Sequence, residues 1–290
     1  MKIFKESELV LTPDGAVYHL HLHPENLAEN IILVGDPDRV PTISRYFDKI
    51  DFKMQNRELV THTGWFNGKR ISAISTGMGT DNLDIVINEL DATVNIDLKN
   101  RCSKDTHTQL NMIRIGTSGG LQEDLEIDSF ITSEYGLGID GLLNFYDVDP
   151  KLFETEMEEA FLKHMNWPQR LARPYIIKAS ESLKQKVAFD LKSGITATAP
   201  GFYAPQGREL RIPLAYPDMN DKIETFSFNN HKITNFEMET SALYGLGQAL
   251  GHNTLTVCAI IANRVTRKFS SDYKVAVEKL VLQTIQRLTE

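Results

Sequence analysis

Three short aliphatic runs, each breaking on glycine, constrain this chain more than any other feature of it. "IILV" at 31–34 stops at Gly35-Asp36-Pro37, "RISAISTGMG" spans 70–79, and "NMIRIGTSGGL" spans 111–121. Apolar runs of this length bounded by turn residues fit buried strands. The second run is followed by Leu83, Val86, Leu90 and Val94, whose spacing predicts an amphipathic helix. The first leads into "DRVPTISRYF", a helix start near Pro37 that Pro41 interrupts, and the third is read as ending in a glycine-rich turn. Further strands are expected near 128–136, 193–201 and 253–265, and helices at 154–165, 237–250 and 272–288. Alternation of strand and helix predicts an α/β chain with a largely parallel sheet. No repeat, low-complexity tract or Pro/Ser-rich linker divides it, and the polar stretch 95–111 reads as a surface connection. Residues 1–290 are therefore expected to form one domain.

Composition narrows the function. With 41% hydrophobic residues the chain can build a full core. A net charge of −8 argues against a general nucleic-acid binder, though not against a local pocket for a small anion. Cys102 and Cys258 are the only cysteines, without a CxxC, so neither a disulfide framework nor a zinc cluster is supported. The opening stretch "MKIFKESELVLTPDG" lacks the apolar core of a signal peptide, and a cytoplasmic protein is expected.

Several stretches carry chemistry. "GDPDRV" places Arg39 beside a helix start, and "RIGTSGG" places Arg114 and Thr117 at a strand end. Ligands in open α/β sheets collect at such ends, and two arginines with exposed backbone N–H groups suit a phosphate-sized anion. The plain alternative is two ordinary tight turns with surface arginines. "NFEMETSALY" sets Glu237 and Glu239 at the expected start of an apolar helix, where acids complement the helix dipole or grip vicinal hydroxyls. Two residues apart on a helix they share no face, so they do not make a glycosidase pair. "HLHLH" at 19–23 would align three histidines in a strand, yet no matching ligand set occurs elsewhere, and one histidine with a polar role is the better reading. No GxSxG nucleophile elbow is present. "GFYAPQGREL" at 201–210 is a loop whose Gln206 and Arg208 would project to one side if extended, with Phe202 close by. By itself it reads better as a surface turn with a solvated arginine.

Together these stretches resemble the nucleoside phosphorylase family and, within it, the branch that acts on uridine. "YHL", "GDPDRV", "NREL", "STGMG", "RIGTSGG", "FYAPQGR", "FEMET" and "IIANR" follow the family's order from residue 18 to 264. The resemblance implies a three-layer αβα fold with a central mixed β-sheet. It also implies phosphorolysis of uridine, and of related pyrimidine nucleosides, to uracil and ribose 1-phosphate, an activity of nucleoside salvage and catabolism. By the same resemblance, Gly35, Arg39, Arg114 and Thr117 hold phosphate, with Arg57 supplied by a neighbouring subunit. Glu237, Met238 and Glu239 hold the ribose, and His19 of the neighbour meets its 5′-hydroxyl, with His21 as a rival. Phe202, Gln206, Arg208 and Ile261 hold the base. Arg114, Gln206 and Arg208 are the expected catalytic groups, in a homo-oligomer of dimer or hexamer form.

The implied cofactor set is empty, phosphate being a co-substrate. Asn82 stands where a serine would help Glu58 and the Met78 carbonyl to hold potassium, which argues against that cation. Ala262 replaces a bulkier aliphatic residue in the base pocket, and "IIANRV" lacks the acid that serves a purine. The alternatives are a purine or broad-specificity phosphorylase, a nucleosidase using water, and a nucleoside-binding protein that kept the fold.

Overall fold

The computed structural model describes residues 3–290. The first apolar run is strand β1 (Asn30–Val34), with four consecutive buried residues. After Gly35 and a turn comes helix α1 (Arg39–Ser44), in which Pro41 sits in the first turn. There its missing N–H costs no intrahelical bond, so it does not interrupt the helix. A hairpin not expected from sequence follows, β2 (Lys49–Asn56) and β3 (Leu59–Phe66), leading to β4 (Lys69–Ser75). Helix α2 (Thr80–Asn95) buries Leu83, Val86 and Leu90 as its spacing predicts. The polar stretch after it contains a small antiparallel pair, β5 (Ile96–Asp97) and β6 (Cys102–Ser103).

Strand β7 (Asn111–Gly120) corrects the expected glycine turn, because Gly116, Gly119 and Gly120 all lie within it. Strand β8 (Phe130–Gly138), helix α3 (Thr155–Met165), strand β9 (Tyr175–Lys178), helix α4 (Glu181–Val187) and strand β10 (Lys192–Thr198) come next. Helix α5 (Met219–Thr225) and strands β11 (Ser227–Phe228) and β12 (His231–Glu237) lead to helix α6 (Thr240–Ala249). Strand β13 (Asn253–Asn263), strand β14 (Lys268–Phe269) and helix α7 (Tyr273–Thr289) complete the order. Helix α6 begins three residues later than expected: Glu237 ends β12, and Glu239 is the N-cap. The cause is local. The Glu237 carboxylate accepts from the backbone N–H groups of Glu239 and Thr240 at 2.9 Å, satisfying donors that a helix start leaves orphaned.

The large sheet runs β11-β12-β10-β8-β13-β7-β1-β4-β3-β2. Its middle is parallel (β4–β1–β7–β13, and β8–β10–β12), but β13–β8 and the β2–β3–β4 edge are antiparallel, so the sheet is mixed. β12 also pairs with β7 through Asn235–Gly120 and Phe236–Gly119, which closes β7, β13, β8, β10 and β12 into a ring. At this junction a Cβ on Gly120 would stand 3.3 Å from the Ile260 side chain of β13. Helix α6 is buried nearly all round and packs with α2 against this region. Helices α4 and α7 pack together against β13. Among the described residues no helix is long and apolar enough to cross a membrane.

Candidate active site

Because β4, β1 and β7 are neighbours in the sheet, their carboxyl ends bring the three glycine-bearing segments to one edge. They open on a cleft of about 670 Å³. Gly77 and Gly79, at φ +73° and +96°, hold a backbone conformation that side chains disfavour. Gly35 lies so close to the first of them that a Cβ would be 3.3 Å from the Gly77 carbonyl oxygen. The turn after Gly35 brings Asp36, Pro37 and Arg39, at the α1 start, to the cleft wall. Gly35, Arg39, Arg114 and Thr117 all line it.

Arg114 reaches the cleft along β7 over Gly116, where any Cβ would collide with its guanidinium. It is buried; its Nη2 donates to the Glu239 carboxylate, and its Nη1 stands 3.6 Å from Glu237. Nε and Nη1 have no hydrogen-bond partner among the described residues. Burial opposes the charge of Arg114, but Glu239 and Glu237 outweigh it and raise the pKa. Burial raises the Glu239 carboxyl, Glu237 adding to and Arg114 opposing that effect. Arg39 makes no ion pair among the described residues; burial and then the Arg114 charge lower its pKa. Two cations thus face one space with donors to spare.

The carboxylates divide their work. Both Glu237 oxygens are taken by Thr198 Oγ1 at 2.7 Å and by the N–H groups at the α6 start. Glu239 accepts from the Gly79 N–H at 2.8 Å through one oxygen and from Arg114 through the other. Met238 lies between them on the cleft wall.

At the far end, residues 202–208 form a turn around the short 3-10 segment Ala204–Gln206, with Gly207 left-handed at φ +68°. Gln206 and Arg208 meet by this turn, not by extended geometry: Arg208 Nη1 donates to Gln206 Oε1 at 2.7 Å and to the Phe202 carbonyl at 2.5 Å. The guanidinium carbon lies 3.8 Å from the Phe202 ring centroid. Arg264 is the residue that sequence reasoning left without a role. It donates to the same Oε1 at 3.0 Å and to the Gln206 backbone carbonyl. With Oε1 held by two guanidinium groups, Gln206 offers its amide hydrogens, and not an acceptor, to the cleft. Burial and then the Arg208 charge push Arg264 down to about 10. The "IIANR" run contained Arg264, but a lone arginine after a strand gives no direction for its side chain. Ile261 and Ala262 line the cleft, as do Phe236 and Phe269. Asn263 is fully committed to backbone, donating to Gln122 and Leu125 and accepting from Val265 and Thr266.

His19 and Arg57 are absent from the cleft of their own chain, although Glu58, next to Arg57, lines it. Arg57 sits at the β2–β3 tip with φ +54°. His19 instead binds Glu89 through Nδ1 at 2.6 Å. The three N-terminal histidines do not align: His23 turns to Asp14, and His21 is left-handed at φ +52°. Asn82 and the Met78 residue line the cleft with Glu58. Elsewhere, Asp91, His107 and His252 bring ligand atoms within 4.8 Å of one another. However, His252 Nδ1 accepts from the Leu110 N–H at 3.1 Å, which puts the ring proton on the nitrogen facing Asp91 and occupies the group as a donor.

Residues 29–290 match the phosphorylase superfamily. A uridine phosphorylase of Thermococcus kodakarensis is 32% identical over 274 residues, covering 92% of this chain and 84% of that protein. A DeoD-type purine nucleoside phosphorylase of Listeria welshimeri is 27% identical over 247 residues, covering 83% and 85%. Among solved structures, a Trypanosoma brucei nucleoside phosphorylase described as showing uridine phosphorylase activity superposes with a TM-score of 0.83 at 27% identity. It covers 96% of this chain and 99% of that one.

Proposed function

The chain belongs to the phosphorylase superfamily, and from that premise we propose that the cleft cleaves uridine with phosphate, giving uracil and ribose 1-phosphate. The observation that carries the base assignment is the clamp on Gln206, whose Oε1 accepts from both Arg208 and Arg264. Together with Phe202 it makes a flat, donor-rich end suited to a ring edged with carbonyl oxygens. Neither the 202–208 turn nor the end of β13 brings an acid to the cleft for a purine nitrogen.

In this reading phosphate lies against the Gly35 N–H, Arg39, Thr117 and the unpartnered edge of Arg114, with Arg57 entering from a neighbouring subunit. A phosphate oxygen forms a bond to C1′ of the ribose as the bond from C1′ to N1 of uracil breaks. The departing electron pair goes to the base, which later takes a proton. Holding the nucleophile in line accounts for much of the rate gain. Arg208 and the Gln206 amide face the carbonyl oxygens where charge collects, which lowers the barrier by preorganised donors. Glu239 and the Met238 backbone grip the ribose hydroxyls, while Glu237 holds the wall behind them. Ile261 packs on the base. The reaction needs no organic cofactor, and phosphate is the second substrate. In this reading His19 and Arg57, which lie outside their own chain's cleft, serve a neighbouring subunit, and the active species is a homo-oligomer sharing its sites.

The purine reading has a specific support, the similarity to the Listeria protein. Incubating the protein with uridine or inosine, with and without phosphate, separates the readings. Release of uracil and ribose 1-phosphate only when phosphate is present supports this one; equal or faster release of hypoxanthine overturns it.

A further inference from the structure

Glu89 lies on α2, outside the cleft, and spends its whole carboxylate on two residues of the N-terminal segment. Its oxygens accept from the His19 N–H at 2.9 and 3.0 Å, from the Leu20 N–H at 2.8 Å and from the His19 ring Nδ1 at 2.6 Å. A carboxylate beside Nδ1 requires the proton there, which leaves Nε2 as the ring's outward atom and, in the neutral ring, its acceptor. The His19 carbonyl is fixed as well, accepting from Asn56 Nδ2 at 2.9 Å. Asn56 ends β2 and precedes Arg57. His19 and Arg57 therefore belong to one braced edge of the chain, held by backbone as well as side-chain bonds.

The brace serves no purpose in this chain's own cleft, which neither residue lines. A surface histidine without a task needs no carboxylate aimed at both its backbone N–H and its ring Nδ1. Helix α2 is also a firm base for such a brace. It starts where the Gly79 N–H meets Glu239, and Glu89 follows about 15 Å along the axis.

We propose that Glu89 is the positioning residue that fixes the orientation and tautomer of His19, so that Nε2 accepts from the ribose 5′-hydroxyl in a neighbouring subunit's cleft. This inference rests on the reading of His19 given above.

The test is the ratio of kcat/KM for uridine to that for 5′-deoxyuridine, measured in the oligomeric enzyme and in His19→Ala, Glu89→Ala and Glu89→Gln. Loss of the hydroxyl contact should cost wild type roughly tenfold on 5′-deoxyuridine. His19→Ala should bring the ratio near one. Glu89→Ala should do the same, and adding it to His19→Ala should change the ratio no further. Glu89→Gln keeps the size of the side chain and guards against misfolding of the alanine variant. Its single acceptor cannot serve the backbone donors and the ring together, so the ratio should fall there too. A purely structural role would slow both nucleosides equally and leave the ratio alone. If His19→Ala lowers the ratio and folded Glu89 variants keep the wild-type value, the role of Glu89 is overturned and the reading of His19 stands. If His19→Ala leaves the ratio unchanged, both fall.

Discussion

Arg39 and Arg114 point two positive charges into one cleft, and among the described residues only Arg114 has a carboxylate partner. Burial and the neighbouring guanidinium both disfavour the charge on Arg39. Such an arrangement makes sense for a protein completed by an anion.

It follows that Arg39→Met should not weaken the fold in phosphate-free buffer, staying within about ±0.5 kcal/mol of wild type. Phosphate at 100 times its Kd should stabilise wild type by about 2.7 kcal/mol through binding linkage. The variant should lose most of that gain. Thermal unfolding with and without phosphate measures both quantities, and a full phosphate shift in Arg39→Met contradicts the assignment.

Thr198 ties the wall behind the proposed ribose site. Its hydroxyl donates to Glu237 at 2.7 Å and accepts from the Ser241 N–H at 3.0 Å. Thr198→Val keeps the shape and leaves a buried N–H without a partner, at a cost of about 1–3 kcal/mol. The KM for nucleoside should rise as Glu237 and the α6 start loosen. Urea unfolding checks the first effect, and an unchanged midpoint would show that the bridge carries no weight.

The two thiols should differ sharply in reactivity. Burial pushes Cys258 up to about 12, while Cys102 is half-buried. Since the thiolate is the reactive form, one thiol per chain should titrate in the native protein at neutral pH and two after unfolding. Modification of Cys258 at the rate of Cys102 would contradict the burial.

Much of this architecture is legible in the sequence, for reasons that also explain the gaps. The runs ending at Val34 and Ser75 are buried strands, and buried strands announce themselves by continuous apolar residues. The β2 segment alternates exposed and half-buried residues on an edge, so its apolar signal is weak. Gly119 and Gly120 look like a turn, yet they end β7 and pair with both β13 and β12, and a glycine on a crowded strand reads the same as one in a turn. Glu237 looks helical because the sequence cannot show that its carboxylate caps the helix from the preceding strand. The cleft residues from Gly35 to Ile261 are found together, whereas the Gln206–Arg264 pairing depends on a contact 58 residues apart.

The proposed sharing of the site between subunits makes a prediction of its own. Arg57→Ala and Arg114→Ala should each be nearly inactive, because one fails to supply the neighbour and the other fails in its own cleft. After subunit exchange, mixed oligomers should regain part of the activity, since a chain with intact Arg114 then receives Arg57 from its neighbour. Exchange demonstrated by mass spectrometry without recovery would contradict sharing.

The most direct measurement compares kcat/KM for uridine and for inosine, phosphate held saturating, in wild type and Arg208→Met. The substitution keeps an unbranched apolar stem and removes the guanidinium that lies over Phe202 and donates to Gln206. Wild type should prefer uridine. The variant should lose ~10²–10³ of that rate, roughly 2.7–4 kcal/mol of transition-state stabilisation, with the KM for phosphate little changed. Wild type that cleaves inosine as fast as uridine, or Arg208→Met that keeps the full kcat/KM for uridine, would contradict the account.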